Sequence, residues 1–466
     1  MSRQLPPLFL ESLRNLGSVA DALPDALVST APSVAVRVNT AKGARIPDGA
    51  DLVPWCPSGF YLADRPLFAA DPAWHQGLYY VQEASSMASQ AAMTRLVALA
   101  RDGAPLRVLD ACAAPGGKTI GILETLGPDD LVVANEFDPH RANILAENIA
   151  KWGAPNVALT RGPAQAFAAM KNSFDIIAAD VPCSGEGMMR KDDEAVAQWT
   201  PRLVESCAAL QREILDALWK ALRPGGYLLY STCTFNRQEN ELNIEYLIDT
   251  YGAESIPLGL DGSDGIIPAI GSDIAACRFL PGRVRGEGLF IAALRKPGTP
   301  SAERPDSRSR EDAAARRFLD ATLARPADYV AVSPDKVSVE AVLRHHEGFI
   351  ARLRKQLKVV RGGLPVATLK GRDLAPSFEL ALSTALAPDA YPLLELDYRG
   401  AIACLRGEAL DGLPEGTPRS FILPAWQGRP LGLAKSVGRR ANNLYPAPFR
   451  LRLAADAIPP QAPKVV

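Results

Sequence analysis

The stretch LRVLDACAAPGGKT, residues 106–119, indicates the fold of the central part of the chain. The mainly apolar run Leu106–Asp110 predicts a buried strand, and a glycine-containing turn over Cys112–Lys118 leads into a predicted helix over Thr119–Leu126. A strand, a glycine loop and a helix in this order are typical of the first unit of an open α/β sheet. Glycines in such a loop let the backbone approach a ligand, and the helix N-terminus beyond can hold negative charge.

Two common phosphate-binding motifs do not match this loop. Its end, GGKT, is similar to a P-loop, but that motif needs a glycine five residues before Gly117, where this chain has Cys112. The loop also lacks the GxGxxG pattern of dinucleotide-binding folds. The next predicted strand, Leu131–Ala134, is followed by Glu136 and Asp138, and either carboxylate could bind ribose hydroxyls. Together, the loop and the acids predict a nucleoside cofactor site.

Strand and helix patterns alternate along residues 98–235. Beyond the first two strands, the sequence predicts strands at Val157–Thr160, Phe174–Ala179 and Tyr227–Tyr230, and helices at Pro139–Trp152 and Pro201–Ala221. The sequence RPGG (223–226) is predicted to turn the chain into the last of these strands. Because strands and helices alternate with short turns, we expect right-handed crossovers and a mainly parallel sheet with an α/β, Rossmann-like core.

Two cysteines directly follow two of the predicted strands. Cys183 lies in DVPCSG (180–185), and Cys233 lies in STCTF (231–235). The carboxyl ends of strands in an open α/β sheet line one crevice, so both thiols are expected there, which suggests covalent chemistry. The reactive species is the thiolate, whose pKa must fall from about 8.5. Asn236 and Glu239 are interpreted as the N-cap and capping-box acid of a helix whose N-terminus would favour a Cys233 thiolate.

Composition describes an ordinary globular protein of several domains. The 466 residues are 47% hydrophobic and 22% charged, without an apolar run long enough for a membrane span and without a secretory signal pattern. Seven scattered cysteines are typical of reduced thiols, so we expect a cytoplasmic protein with no membrane partner. No Cys-x-x-Cys occurs and the histidines lie far from the cysteines, so no metal site is predicted. Nothing suggests a coiled coil, and a monomer is expected.

Positive charge is concentrated in the C-terminal third of the chain. Residues 352–372 and 429–452 contain seven and six Lys or Arg residues and no Asp or Glu, although the net charge of the whole chain is −1. Either run alone could be a solvated face. The second run also contains Asn442, Asn443 and Tyr445, and a surface that binds a nucleic-acid backbone uses such residues.

Five regions are predicted along the chain. An N-terminal extension (1–75) contains a strand at Val34–Val38 and precedes a catalytic domain (76–295). A polar, proline-rich linker (296–312) follows, and then an α/β subdomain (313–385) with a helix at Ala313–Ala324. The last region (386–466) is predicted to be β-rich, with strands at Leu393–Tyr398, Ala401–Leu405 and Ser420–Pro424.

The motifs DACAAPGGKT, ANEFD (134–138), DVPCSGEG (180–187) and STCTF together resemble the Nop/Sun family of S-adenosylmethionine-dependent RNA cytosine-5 methyltransferases. They occur in that family's order within residues 106–240, and GLYYVQEASSM (77–87) resembles the segment before the family's core. GRPLGLAKSVGRRANNLYP (428–446) resembles the RsmF-type bacterial branch, which modifies 16S ribosomal RNA and has a PUA-like RNA-binding module at this place. The resemblance implies the same cofactor, core and C-terminal module here, and an N-terminal extension that binds RNA.

The resemblance also implies roles for individual residues. Cys233 would be the nucleophile, Cys183 would assist product release, Asp180 would hydrogen-bond the flipped cytosine, and Lys118 could reach the same base. S-adenosylmethionine would be bound by Cys112, Ala113, Ala114, Pro115, Gly116, Gly117, Lys118, Glu136, Asp138 and Asp180. Ribosomal RNA would be bound by Arg190, Lys191, Lys435, Arg439, Arg440, Asn442 and Asn443. Deleting residues 311–466 is then expected to abolish RNA methylation and to leave cofactor binding largely intact. One departure is clear: the family often has a Gly-Asp pair after the third strand, to contact adenine, whereas this chain has TRGP at 160–163.

Three alternatives remain open at this point. DNA cytosine-5 methyltransferases use the cysteine of a Pro-Cys dipeptide as nucleophile, and Pro182-Cys183 alone would fit them. The second thiol, Cys233, favours RNA. The substrate could also be transfer RNA or another RNA, and the chain could be a non-catalytic ribosome-assembly protein that keeps the fold.

Overall fold

The structure is a computed structural model that describes residues 4–260, 264–299, 311–335, 337–371 and 373–466. The N-terminal region contains helices α1 (Pro7–Leu13), α2 (Leu23–Ser29) and α3 (Pro72–His75) and strands β1 (Val34–Val38), β2 (Asp51–Leu52), β3 (Gly59–Leu62) and β4 (Tyr79–Val81). These strands form an antiparallel sheet in the order β2-β3-β1-β4. Because β4 belongs to this sheet, the N-terminal unit extends past the predicted boundary at residue 75.

The central region alternates strands and helices, as predicted. Its elements are α4 (Ala88–Ala100), β5 (Arg107–Asp110), α5 (Gly117–Leu123), β6 (Leu131–Glu136), α6 (Pro139–Trp152), β7 (Val157–Arg161), β8 (Phe174–Asp180), α7 (Asp193–Gln198), α8 (Pro201–Ala221), β9 (Leu222–Thr232), α9 (Glu241–Tyr251), β10 (Glu254–Ile256), β11 (Ile267–Pro268), β12 (Ala276–Phe279) and β13 (Leu289–Arg295). The strands β7, β6, β5, β8 and β9 are adjacent in that order and all parallel. The residues of these strands are mostly buried and form the core of a doubly wound sheet.

The two C-terminal regions each contain a small sheet. The first has α10 (Ala313–Thr322), β14 (Tyr329–Val332), β15 (Ser338–Leu343), α11 (Glu347–Gln356), β16 (Val359–Arg361), β17 (Leu364–Lys370), β18 (Asp373–Pro376) and α12 (Phe378–Leu382). The second has β19 (Leu393–Glu395), α13 (Tyr398–Leu405), β20 (Leu410–Asp411), β21 (Phe421–Trp426), β22 (Arg429–Pro430), β23 (Ala434–Ser436) and β24 (Arg440–Asn443). Their sheet orders are β14-β15-β17-β18 and β19-β21-β23-β24-β20, with β22 beside β21.

Two predicted elements are wrong. The run Ala401–Leu405, predicted as a strand, belongs to helix α13, whose N-terminus is capped by the Asp397 side chain. A short apolar run does not distinguish a buried strand from a buried helix, and the cap decides it here. The RPGG sequence is not a turn before the last strand but an irregularity within β9. The partner of Phe174 is Leu222 and the partner of Ile176 is Tyr227, so β9 has four residues where β8 has one.

The predicted regions are not independent bodies. Strand β16 from the region 313–385 pairs antiparallel with β7 and extends the central sheet to ten strands. Phe349, Ile350 and Leu353 of α11 belong to the same buried cluster as the central strands. Deleting residues 311–466 would therefore expose the edge of β7 and part of the core, and this packing argues against the expectation that cofactor binding survives the deletion.

The last region packs against the N-terminal unit. Tyr445 and His75 are both buried, and the Tyr445 hydroxyl lies 3.2 Å from His75 Nδ1. Gln76 Nε2 donates to the backbone oxygens of Trp426 and Arg429. The predicted linker at 296–312 lies mostly at residues 300–310, which are outside the described residues, as is Arg372 of the first basic run. Across the described ranges, no helix combines the length and apolar character that a bilayer-spanning helix needs.

Candidate active site

A cavity of about 500 Å³ opens at the carboxyl ends of the parallel strands. The chain runs from β5 outward to β6 and β7 on one side and to β8 and β9 on the other, so the order reverses between β5 and β8. Ligands of open α/β sheets bind at such a reversal. The cavity is lined by Ala111, Cys112, Asn135, Glu136, Phe137, Arg141, Pro163, Ala164, Gln165, Asp180, Val181, Pro182, Cys183, Gly185, Met188, Leu210, Ile214 and Cys233.

Both predicted cysteines face this cavity and contact each other. The Sγ atoms of Cys183 and Cys233 are 3.2 Å apart, and each residue is partly buried. The hydrogen bond with Cys233 raises the pKa of Cys183, and burial raises it further. Cys183 is therefore a neutral thiol near pH 7, able to donate its S–H to the sulfur of Cys233.

Two buried carboxylates bind the two cysteine loops to each other. Glu186 of the Cys183 loop accepts hydrogen bonds from the backbone N–H groups of Phe235 and Asn236, at 2.7 and 3.0 Å. In the reverse direction, Glu239 accepts the backbone N–H of Ser184 at 2.9 Å. The backbone N–H of Gly187 also donates to the carbonyl oxygen of Cys233, at 2.7 Å. The separation of the two sulfurs is therefore fixed by loop-to-loop hydrogen bonds.

The predicted helix cap after Cys233 is wrong. Helix α9 begins at Glu241, and its N-cap is Asn240 rather than Asn236. Asn236 Oδ1 does accept the backbone N–H of Glu239 at 2.9 Å, but this bond closes a turn that ends before the helix. The acid of the supposed capping box binds the Cys183 loop instead. A helix N-terminus directly after Cys233 therefore does not explain a thiolate at this position.

A charged pair lies beside the cysteines. Lys118 Nζ donates to Asp180 Oδ2 at 2.8 Å, and Ser231 Oγ donates to Asp180 Oδ1 at 2.7 Å. Burial acts to lower the pKa of Lys118, but the charge of Asp180 and its hydrogen bond to Lys118, with a smaller electrostatic contribution from Cys233, outweigh burial, so the pKa is raised. Lys118 thus stays a cation, close enough to Cys233 for their charges to interact. It provides the positive charge that the sequence interpretation assigned to a helix end.

The glycine loop contributes one residue to the lining of the cavity. Of its residues, Cys112 lines the cavity, whereas Ala113, Ala114, Pro115, Gly116, Gly117 and Lys118 do not. Gly116 has a φ of 115°, which favours glycine, and α5 begins at the next residue, two residues before the predicted start. Burial raises the pKa of Asp110 to about 7, although the Thr119 hydroxyl donates to it.

The two candidate ribose acids differ in position. Glu136 is buried, lines the cavity, and accepts the backbone N–H groups of Ala114 and Asp138 at 3.3 and 3.0 Å. Asp138 does not line the cavity, because its carboxylate caps helix α6 by accepting the backbone N–H of Arg141. The geometry supports Glu136 and not Asp138 as a ligand for a nucleoside.

The predicted RNA-binding residues divide into exposed and buried groups. Arg190 is buried and donates to Glu287, Thr30 and the Gly286 carbonyl, so its prediction as an RNA contact is wrong. Asn443 is also engaged internally, since its Nδ2 donates to the carbonyl oxygens of Cys404 and Glu408. Tyr445, from the same basic run, is buried. The exposed predicted residues are Lys191, Lys435, Arg439, Arg440 and Asn442.

Sequence reasoning missed several residues that shape the site. Glu186 follows the Cys183 motif directly and Ser231 precedes Cys233 by two residues, so the motifs themselves contained the signal. Gln211 of α8 could not be found in this way, because it is distant from both motifs in sequence and only folding brings it to the site. Its Nε2 donates to Glu239 at 2.8 Å and to the Pro182 carbonyl at 2.9 Å.

Comparison with known proteins assigns a family to the chain. Residues 98–295 match 16S rRNA methyltransferase RsmB/F, residues 5–84 match the N-terminal domain of 16S rRNA methyltransferase RsmF, and residues 391–451 match the methyltransferase RsmF PUA domain. Ribosomal RNA small subunit methyltransferase F of Klebsiella pneumoniae is 36% identical over 440 residues, which cover 88% of this chain and 89% of that protein. The protein of the same name from Serratia proteamaculans is 34% identical over 479 residues, covering 95% and 96%.

Solved structures show the same fold. A methyltransferase homolog protein from Pyrococcus horikoshii is 29% identical, covers 63% of this chain and 100% of its own, and superposes with a TM-score of 0.50. NSun6 from the same organism, solved with SFG, has a TM-score of 0.53 at 22% identity over 64% of this chain and 100% of its own, which shows the fold alone. The predicted fold class, with its Rossmann-like core and C-terminal PUA module, is thereby confirmed. On these sequence matches, the chain belongs to the RsmF family of 16S rRNA methyltransferases.

Proposed function

We propose that this protein transfers a methyl group from S-adenosylmethionine to carbon 5 of a cytidine in 16S ribosomal RNA, through a covalent bond between Cys233 and carbon 6 of the base. The observation that carries the proposal is the pair of sulfurs, 3.2 Å apart in a cavity at the carboxyl ends of the strands. The relatives' names, ribosomal RNA small subunit methyltransferase F, support the choice of substrate.

The residues around the cavity fit the proposed cofactor. Glu136 places a carboxylate where the hydroxyls of a ribose can donate to it, and Ala164 and Ile214 supply apolar surface for a purine. A Cβ built on Gly162 would meet no atom within 4 Å, so the space beside the end of β7 is open. The volume of about 500 Å³ lies in the range of cofactor sites. When bound, S-adenosylmethionine supplies an electrophilic methyl group.

Cys233 acts as the nucleophile in this proposal. Carbon 5 of cytosine is a weak nucleophile, and addition of the Cys233 thiolate to carbon 6 places electron density on carbon 5, which can then take the methyl group. Lys118 and the S–H of Cys183 stabilise the thiolate before it attacks. In the adduct, Asp180 accepts hydrogen bonds from the exocyclic amine and the protonated ring nitrogen of the base, while Lys118 and Ser231 hold its carboxylate in place.

Cys183 assists release of the product. Its pKa is raised mainly because it hydrogen-bonds Cys233. Once the Cys233 sulfur is bonded to carbon 6, it carries no negative charge, so that cause is removed and Cys183 loses its proton to solvent more readily. The Cys183 thiolate then accepts the proton of carbon 5, the carbon–sulfur bond breaks, and the Cys233 thiolate is regenerated together with 5-methylcytidine. The ring nitrogen takes its proton from solvent as Cys233 adds to carbon 6, and returns it to solvent when the carbon–sulfur bond breaks.

The RNA would be bound along the C-terminal module. Lys435, Arg439, Arg440 and Asn442 lie on or between neighbouring strands of one small sheet and are exposed. Such a surface binds phosphates with little dependence on base identity, and the target base must leave its stack to reach the cavity. Lys191 is exposed near the cysteine loops, although Glu287 Oε1 lies 3.2 Å from its Nζ.

The experiment that tests the proposal is a methylation assay with radioactive S-adenosylmethionine on 16S ribosomal RNA, assembled small subunits and transfer RNA, each digested to nucleosides afterwards. We expect label in 5-methylcytidine from 16S RNA or from the subunits. Label in another nucleoside would reject carbon 5 as the target, and label confined to transfer RNA would reject the substrate. No methylation of any of these RNAs, with ribosome assembly unaffected by Cys233→Ala, would favour a non-catalytic assembly protein.

A further inference from the structure

A glutamine lies on the cavity wall after strand β7, where this chain lacks the acid of the family's Gly-Asp pair. Strand β7 ends at Arg161, and the chain then passes through Gly162 and Pro163 into a 3-10 helix, Ala164–Ala169. Gln165 lies in the first turn of this helix, is half-buried and lines the cavity. Among the described residues, its side-chain amide has no hydrogen-bond partner, so both the oxygen and the nitrogen are available to a ligand.

Neighbouring residues offer no substitute for this amide. Pro163 has neither a backbone N–H nor a polar side chain, and Ala164 has only a methyl group. Of the three residues after β7 that line the cavity, Gln165 is thus the one with a polar side chain. A nucleobase at this wall can therefore receive side-chain hydrogen bonds from Gln165 but not from Pro163 or Ala164.

The position of Gln165 relative to Glu136 is fixed by backbone contacts. Asn135 Nδ2 donates to the carbonyl oxygens of Ala111 and Gly162, at 3.0 and 2.9 Å, and so joins the ends of β5 and β7. The backbone N–H of Gly162 donates to the Glu136 carbonyl at 3.1 Å. Two residues beyond Gln165, the ring of Phe167 is fully buried in the core. The amide is therefore held on a rigid support beside the proposed ribose ligand.

The chemistry of a carboxamide matches one edge of adenine. Adenine presents an amine donor at N6 next to an acceptor at N1, and a glutamine side chain has one acceptor oxygen and an NH2 donor in the same plane. It can form two parallel hydrogen bonds with this edge, in the same way as glutamine pairs with the N6–N7 edge of adenine in DNA recognition. A carboxylate could accept from N6 but not donate to N1. Phe137, 69% exposed on the same cavity and adjacent to Glu136, offers a ring on which the base can stack.

We propose that Gln165 reads the N6–N1 edge of the adenine of the cofactor and so determines its specificity for adenine. This inference rests on the proposed use of S-adenosylmethionine. It assigns the adenine contact to a residue of the 3-10 helix, three positions after Gly162. Gln165 is a binding residue in this account and takes no part in proton or methyl transfer.

The test is isothermal calorimetry of the full-length protein with S-adenosylhomocysteine and two analogues, one with N1 replaced by CH and one without the N6 amine. Each analogue removes one partner of the amide, so the unsubstituted protein should bind each about fivefold to tenfold more weakly than S-adenosylhomocysteine. Gln165→Ala should bind all three ligands within about twofold of one another, because the groups that read the edge are gone. Gln356→Ala, at an exposed site, is the matched control and should behave as the unsubstituted protein.

The outcomes separate the two proposals. If the unsubstituted protein binds S-adenosylhomocysteine and discriminates against both analogues, but Gln165→Ala discriminates equally well, the role of Gln165 is rejected while cofactor use stands. If the unsubstituted protein does not bind S-adenosylhomocysteine at all, the proposed function fails, and the inference fails with it.

Discussion

Replacing Glu186 by glutamine tests whether the buried carboxylate between the cysteine loops positions Cys233. Glu186 is 1% exposed and accepts four hydrogen bonds. Its Oε2 accepts the backbone N–H groups of Phe235 and Asn236, and its Oε1 accepts Trp199 Nε1 at 3.0 Å and Asn236 Nδ2 at 3.1 Å. Glutamine has the same shape but one acceptor oxygen, so its NH2 group must face two of these four donors.

The magnitude follows from the bonds that are lost. A hydrogen bond to a charged group contributes about 1.5–3 kcal/mol, so losing two of them would cost about 3–6 kcal/mol if nothing relaxed. Because the loop can move away from the new NH2 group, we expect the lower end, about 3 kcal/mol of unfolding free energy. If the same amount is lost in positioning the Cys233 sulfur for attack, the rate of adduct formation falls about 100-fold.

Two assays measure these effects. Urea unfolding followed by tryptophan fluorescence gives the free energy of unfolding, and denaturing gels give the rate at which RNA becomes covalently attached in a Cys183→Ala background. Glu205→Gln, on the exposed face of α8, is the matched control. Unchanged unfolding and an unchanged rate of attachment in Glu186→Gln would refute the positioning role.

Three further predictions follow from other contacts. Burial, with the charge of Lys151, lowers the pKa of His75 to about 3, whereas an unfolded histidine titrates near 6.5. Because the unfolded chain binds the proton first, the free energy of unfolding falls as pH drops below about 6.5, and by pH 5 the loss is about 2 kcal/mol. His75→Gln should remove that part of the difference between urea unfolding at pH 7.5 and at pH 5, and an unchanged difference would contradict the assignment. Mild oxidation by an azodicarboxamide should join Cys183 to Cys233, detected by mass spectrometry as the loss of two alkylatable thiols, and retention of both thiols would contradict their 3.2 Å separation. Replacing Lys435, Arg439 and Arg440 together by glutamine should weaken binding of 16S RNA and reduce the slope of log K against log salt concentration by about 2 to 3. Lys171→Gln serves as the control, and an unchanged slope would exclude this surface as the RNA-binding site.

The parallel core was predictable because its signals are local. Helices α6 and α8 occur with the predicted bounds, since each begins with a proline after a capping Asp138 or Thr200. The cysteines were placed in one cavity by a rule of topology, that the carboxyl ends of parallel strands meet. The motif order was enough to assign the family.

The errors arise where non-local contacts decide the outcome. Arg190 looked like an RNA contact because a basic residue after a motif loop has no visible partner in sequence, yet Glu287 lies 97 positions further along and binds it. Strand β16 could not be assigned to the central sheet, because its partner β7 precedes it by about 200 residues and the pairing depends on how the regions pack. Glu239 was assigned to a local cap, but its carboxylate binds the other cysteine loop.

The covalent two-thiol mechanism is tested most directly by incubating Cys183→Ala and Cys233→Ala separately with 16S ribosomal RNA and S-adenosylmethionine, followed by a denaturing gel. The account predicts that Cys183→Ala accumulates a protein–RNA adduct, because methylation proceeds but the carbon-5 proton is not removed. It predicts neither adduct nor methylated RNA with Cys233→Ala. An adduct with Cys233→Ala and none with Cys183→Ala would contradict it and make Cys183 the nucleophile.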